Sequence, residues 1–238
     1  MTAGEKTINL RLTDFEEPGL YLILKDSTEL VLTRENIEKV TREYWSNPHK
    51  IPPDVKEAVD FQRCPFCPLK GTDDMCDALR PTLPFLDAVD RYSSYDEVTA
   101  IYKGDEEGLC HVAHTTMQRA IRYISNLSLM EYCQAGRKYG KYFLGTMPIM
   151  GAEEIADRIY LNMYWAHGGD KKPVDKLILR FNDEMTRATH NQMSRFRMIC
   201  RNDVLQNAFV LTVVITEVLE MNRDSRLKEF LGGSSSET

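Results

Sequence analysis

Cys64-Pro65-Phe66-Cys67 places two thiols close enough to share one ion, and Cys76 follows within the same stretch containing Pro68 and Gly71. Three soft ligands within thirteen residues suit zinc, which takes tetrahedral sulfur coordination, or an iron–sulfur cluster. A fourth ligand must come from elsewhere, and residue type alone leaves Cys110, Cys133, Cys200, His111 and His114 as candidates. The plainer alternative is three cysteines packed as small hydrophobes. A third Cys beside a CxxC pair in a Pro- and Gly-containing knuckle argues against it. Pro65 and Pro68 also argue against a thioredoxin-type redox pair, which needs its CxxC to open a helix.

Other reactive side chains read as structural. Cys110-His111-x2-His114 falls on an expected strand, where residues 111 and 114 point to opposite faces and do not meet on one ion. His167 precedes Gly168-Gly169, the place for a helix C-terminus that welcomes positive charge. His190 interrupts a helix as a solvent-facing turn. Arg187, Arg195, Arg197 and Arg201 form a basic tract, and the nearby Asp183, Glu184 and Asp203 make a salt-bridged face the expected reading rather than a phosphate or nucleic-acid site. Arg137, Lys138 and Lys141 interleave with Tyr139, Tyr142 and Phe143. Such mixing can stack bases, but aromatics anchored in the core under wet lysines explain it equally and are preferred. There is no Gly-rich phosphate loop, no Ser-His-Asp order and no HExxH.

The elements that must position the cysteines follow from periodicity. The 238 residues are 42% apolar and 28% charged, the composition of a globular chain with a sizeable core. The net charge of −6, from 30 basic against 36 acidic residues, disfavours a surface that grips phosphates. MTAGEKTINLRL carries no apolar run of signal-peptide length, and Ala208–Leu219 is too short and too interrupted to span a membrane. The expected setting is cytoplasmic and reducing, where metal ligation outranks disulfides.

Alternation predicts strands at Ile8–Leu12, Leu20–Leu24, Glu29–Leu32, Glu97–Tyr102 and Leu109–Ala113, with turns at Lys25–Thr28 and Gly104–Gly108. A surface helix capped by Thr33 fits 33–46, and a short helix fits Leu83–Val89. From Thr115 the period becomes helical. One helix is capped by Thr115 or Thr116, a second starts near Gly151, a third runs from Pro173 towards Cys200, and a fourth opens at Asn202 or Asp203. The fourth is apolar on most faces and is expected at the centre of the bundle.

The motifs Arg63-Cys64-Pro65-Phe66-Cys67-Pro68-Leu69, Met75-Cys76, Ser94-Tyr95-Asp96-Glu97-Val98 and Thr115-Thr116-Met117-Gln118-Arg119-Ala120 occur in that order. In this the chain resembles an uncharacterised bacterial family, a domain of unknown function, with a CPxCPL motif, a later single Cys, an SYDEV segment and a TTxQRAL-like helix start. The resemblance spans 6–32 and 55–165, with 33–53 as an insertion. It implies that the last ligand is Cys133, in Glu131-Tyr132-Cys133-Gln134. Gln134 and Asp77 stand where the family usually has Pro. The family supplies no activity.

The expectation is therefore an α+β fold: a small antiparallel sheet with a cysteine metal knuckle, then a helical bundle. A β-rich part (1–113, knuckle 64–76), a helical part (114–231) and a disordered tail (232–238) form one compact unit. Cys64, Cys67, Cys76 and Cys133 hold zinc or, alternatively, an iron–sulfur cluster. The expected role is a non-enzymatic regulatory or protein-interaction protein. The alternatives are a metal- or cluster-dependent redox sensor or enzyme, and a nucleic-acid-binding zinc protein. The expected partner is protein rather than nucleic acid or membrane, with the C-terminal helices as a surface for homo-oligomers.

Overall fold

The computed structural model describes residues 15–47, 49, 51–61, 63–70, 76–105 and 109–222. The strand expected at 8–12, the tip of the turn at 106–108 and the tail at 232–238 lie outside them.

Leu20 and Leu22 alternate with Tyr21 and Ile23, and this period builds β1 (Gly19–Ile23). It pairs antiparallel with β2 (Glu29–Thr33), setting Leu22 opposite Leu30 and Leu20 opposite Leu32. The hairpin closes through Leu24 N–H on Thr28 O and Ser27 N–H on Leu24 O, with Ser27 in the left-handed region at φ 69°. β3 (Glu97–Lys103) pairs with β1, and β4 (Cys110–Thr116) with β3, giving an antiparallel sheet of order β2-β1-β3-β4. The inward residues Leu20, Leu22, Leu30, Leu32, Val98 and Ala100 are buried in the common core.

Three helices interleave with the sheet. Thr33 leaves β2 and caps α1 (Arg34–Trp45), its Oγ1 accepting from Asn36 N at 3.2 Å. Proline starts α2 (Pro53–Asp60), which buries Val55, Ala58 and Val59 and packs on the long helix described below. The short helix expected at Leu83–Val89 is a 3₁₀ turn, Leu83–Phe85, running into α3 (Leu86–Val89).

β4 continues to Thr116 and leads directly into α4 (Met117–Leu127), so the sheet extends past the boundary expected at 113. Thr116 does not cap α4 with its side chain. The first N–H groups are taken instead by Asp96 O (from Met117, 2.9 Å) and Ser94 O (from Gln118, 3.1 Å). Ser94 also donates N–H and Oγ to Asp203 at 3.0 and 2.8 Å. The Ser94–Asp96 turn thus docks the starts of two helices at once.

Those are α4 and α7 (Val204–Met221); between them in sequence come α5 (Ala152–Ala166) and α6 (Lys171–Ile199). α7 packs against α4, α5 and α6, with Phe209, Ile215 and Leu219 fully buried. It is long and apolar enough to cross a membrane by length and composition, but one side fills the bundle core. Three helices pack around it, as the expected place at the centre of the bundle requires, while Val210, Leu211, Val213 and Val214 are partly exposed. Three neighbouring helices cover only part of its circumference.

Candidate metal centre

The four cysteines reach one place from three stretches of chain. After α2 the backbone folds into two successive turns, Cys67 N–H on Cys64 O and Lys70 N–H on Cys67 O, both at 3.0 Å. Cys76 opens the 3₁₀ turn Asp77–Leu79, its carbonyl accepting from Leu79 N at 3.2 Å. Cys133 follows a π-helical turn, Ser128–Tyr132, which extends α4, and precedes a 3₁₀ segment, Arg137–Phe143. Two bonds tie the second and third stretches together: Ser128 Oγ donates to Ala78 O, and Gln134 Nε2 donates to Asp77 Oδ2 at 2.6 Å.

Gly136 lets the Cys133 loop close. A Cβ there would stand 2.0 Å from Leu129 O, so no other residue fits without moving backbone. With it, the Ala135 and Gly136 amides pull the Cys133 thiol pKa down, although burial wins and pushes it up to about 11. Burial likewise raises the Cys64 thiol, against a hydrogen bond from Asn191. Cys64, Cys76 and Cys133 are buried and Cys67 is half-buried.

All four line a cavity of about 10 Å³, roughly the room one water-sized sphere needs. Among the described residues, no three or more His, Cys, Asp and Glu side chains stand grouped as a ligand set for an ion. The donor chemistry nevertheless fits one. A thiol forced to stay protonated by burial gives up its proton to a cation far more readily than to water.

α6 forms the remaining wall. Asn191 Nδ2 donates to Cys64 Sγ at 3.1 Å, and Gln192 Nε2 approaches Cys76 Sγ at 3.6 Å. Arg195 Nη1 donates to Cys76 Sγ at 3.1 Å. The same guanidinium forks onto Phe61 O, at the end of α2, through Nε (2.9 Å) and Nη2 (2.6 Å). Arg195 is 1% exposed, which corrects the expected salt-bridged surface tract. Arg187 behaves as expected, pairing with Asp183 at 2.8 Å. The signal for Arg195 was present: the inward stripe Val174, Ile178, Phe181, Met185, Ala188 continues by helical period to Gln192 and Arg195. Polar residues on an inward stripe mark a buried polar site.

The remaining candidates lie elsewhere. Cys110, His111 and His114 are on β4, His114 Nδ1 sharing a 3.1 Å hydrogen bond with Thr99 Oγ1. Cys200 caps the end of α6, its thiol pushed up to about 12 by burial and by Asp90. His167 ends α5, and His190 is solvent-facing. Tyr139 and Tyr142 are buried while Lys138 and Lys141 stay exposed, as preferred from the sequence.

Glu184 of α6 fastens the segment that follows Cys133. It accepts from Tyr139 Oη at 2.9 Å, Lys138 Nζ at 2.6 Å and Arg180 Nε at 2.8 Å. Burial alone would raise its carboxyl; the three donors outweigh that and hold it below the usual Glu range. A folded-state value below the ordinary one near 4.5 adds stability above that pH, lost as pH falls through the folded value. Glu184→Gln is therefore expected to cost about 1–3 kcal/mol at neutral pH. In acid titrations followed by circular dichroism, the gap to the unsubstituted protein should narrow as pH falls below the ordinary Glu value near 4.5.

No protein-family model matches the chain, and no curated protein or solved structure matches it.

Proposed function

We propose that this is a non-enzymatic regulatory or protein-interaction protein in which Cys64, Cys67, Cys76 and Cys133 hold one structural zinc ion. The observation that carries the reading is the convergence of four thiols, from three separate stretches, on one cavity of about 10 Å³. That room suits a single ion. A site that would join a knuckle to a helix end favours zinc over an iron–sulfur cluster on coordination preference. Four thiolates fill zinc's tetrahedral shell and leave no position for substrate or catalytic water. The ion then acts as a clasp between α2, the Cys76 turn and the end of α4. Protein is the proposed partner class, with the partly exposed side of α7 as the surface a second copy would use.

Metal analysis with an absorption spectrum of freshly purified protein tests this. One zinc per chain and no visible band are expected, with zinc released as pH falls because protons compete for the thiolates. A broad visible band would establish a cluster and move the reading to a redox sensor. A salt-dependent shift on generic DNA or RNA would move it to a nucleic-acid-binding protein.

A further inference from the structure

Beyond the thiols, a second cavity is lined by stretches of chain before and after Cys133. It occupies about 340 Å³ between the end of α4, the π turn and the 3₁₀ segment. Its apolar lining includes Leu127, Met130, Phe143 and Met147; Tyr123, Asn126 and Lys141 supply polar groups. The volume falls in the range of about 300–1,000 Å³ that holds small molecules.

The walls are held in place by polar side chains. Asn162 Nδ2 donates to both Tyr142 O (2.9 Å) and Leu144 O (2.8 Å). Arg122, 3% exposed, donates Nη2 to Pro148 O (2.9 Å) and Met150 O (2.5 Å). The loop 142–150 is thus strapped at both ends from inside the bundle. Burying a guanidinium is costly, and burial lowers its pKa only to about 10, so it remains charged. Gly140 permits the opposite closure, since a Cβ there would lie 2.7 Å from Met130 O. Met130 itself sits on the π turn, a feature that recurs at functional sites. The cleft is preformed rather than a gap left by loose packing.

Its charge selects a ligand class. Glu131, the carboxylate at the rim, is taken by Arg34 at 2.7 Å. Lys141 lies over the Tyr142 ring at 5.0 Å and has no carboxylate partner among the described residues. Asn126 Oδ1 accepts from Thr212 Oγ1 at 2.9 Å, which leaves its Nδ2 as a donor. Burial pushes the Tyr123 phenol up to about 12, so it too is a donor at neutral pH. The lining thus combines one cation and two donors with apolar side chains.

We propose that this cleft binds a small amphipathic carboxylic acid, its aromatic or medium-chain acyl body on Leu127, Met130 and Phe143 and its carboxylate at Lys141. The proposal goes beyond the zinc reading and does not depend on it. Calorimetry with decanoate on the purified full chain tests it, with decylamine as the charge-reversed control. One saturable decanoate per chain is expected, with decylamine binding at least about tenfold more weakly. Lys141→Glu, at an exposed position, should weaken decanoate by about tenfold or more without changing the melting temperature. Met130→Trp should block the cleft, and its folding is checked separately by circular dichroism. Absence of saturable binding at millimolar decanoate overturns the proposal. So does equal binding of decylamine, or indifference to Lys141→Glu, because the cleft would then recognise apolar surface alone.

Discussion

Cys133→Ser is expected to lower the melting temperature sharply or to leave no soluble protein, whereas Cys200→Ser should be nearly silent. If the thiols hold zinc, the free energy of binding is also free energy of folding, on the order of 10 kcal/mol for a structural site. That matches or exceeds the whole stability of a typical domain, about 5–15 kcal/mol. With an ion bound, Cys133 would join chain segments far apart in sequence, and losing it would leave the end of α4 held to the Cys76 turn by packing and by the hydrogen bonds of Ser128 and Gln134. Cys200 lies outside the thiol cavity at the end of α6, and a hydroxyl there replaces a half-buried thiol of similar shape. Thermal unfolding and zinc content, measured on both variants, decide the matter. A Cys133→Ser protein that folds normally and keeps its zinc would remove the structural role and promote the sensor or enzyme alternative.

Arg195→Met should cost about 1–3 kcal/mol, the usual penalty for leaving buried hydrogen-bond acceptors without their donor. The methionine fills part of the volume but leaves Phe61 O without these two donors and Cys76 Sγ with only the longer approach of Gln192 Nε2. Arg195→Lys keeps the charge but not the planar fork, so it should recover only part of the loss. A zinc ion with four thiolates carries a net charge of −2, counted from one 2+ ion and four single negative charges, and the guanidinium offsets part of it. Arg195→Met should therefore also weaken zinc in competition with a chromophoric chelator. Denaturant unfolding gives the stability term separately. Wild-type stability in Arg195→Met would show that the contacts of Arg195 to Phe61 and Cys76 contribute nothing, and would leave Asn191 and Gln192 as what α6 brings to the site.

The local architecture was legible in the sequence for physical reasons that act over a few residues. The alternation of Leu20, Leu22, Leu30 and Leu32 determined a hairpin, and Thr33 determined where α1 begins. The 3.6-residue periods of 117–127 and 174–188 determined which sides of α4 and α6 turn inward. The CxxC-plus-Cys knuckle was visible as a donor set, because soft ligands at close spacing say what they could hold. Spacing did not determine Cys133, which rested on resemblance alone, because Cys110, Cys200, His111 and His114 were equal by type. Tertiary structure decided that choice of neighbours, carrying Cys133 on the π turn to the cavity that Cys64, Cys67 and Cys76 line. It decided the place of Arg195 as well. A helical period shows that a residue faces inward, but not that its partner is the carbonyl of Phe61, 134 residues away. The same limit applies to α7, whose all-round apolarity told of burial while three neighbours left one side partly open. Periodicity follows from the geometry of one element; coverage depends on how many others pack around it.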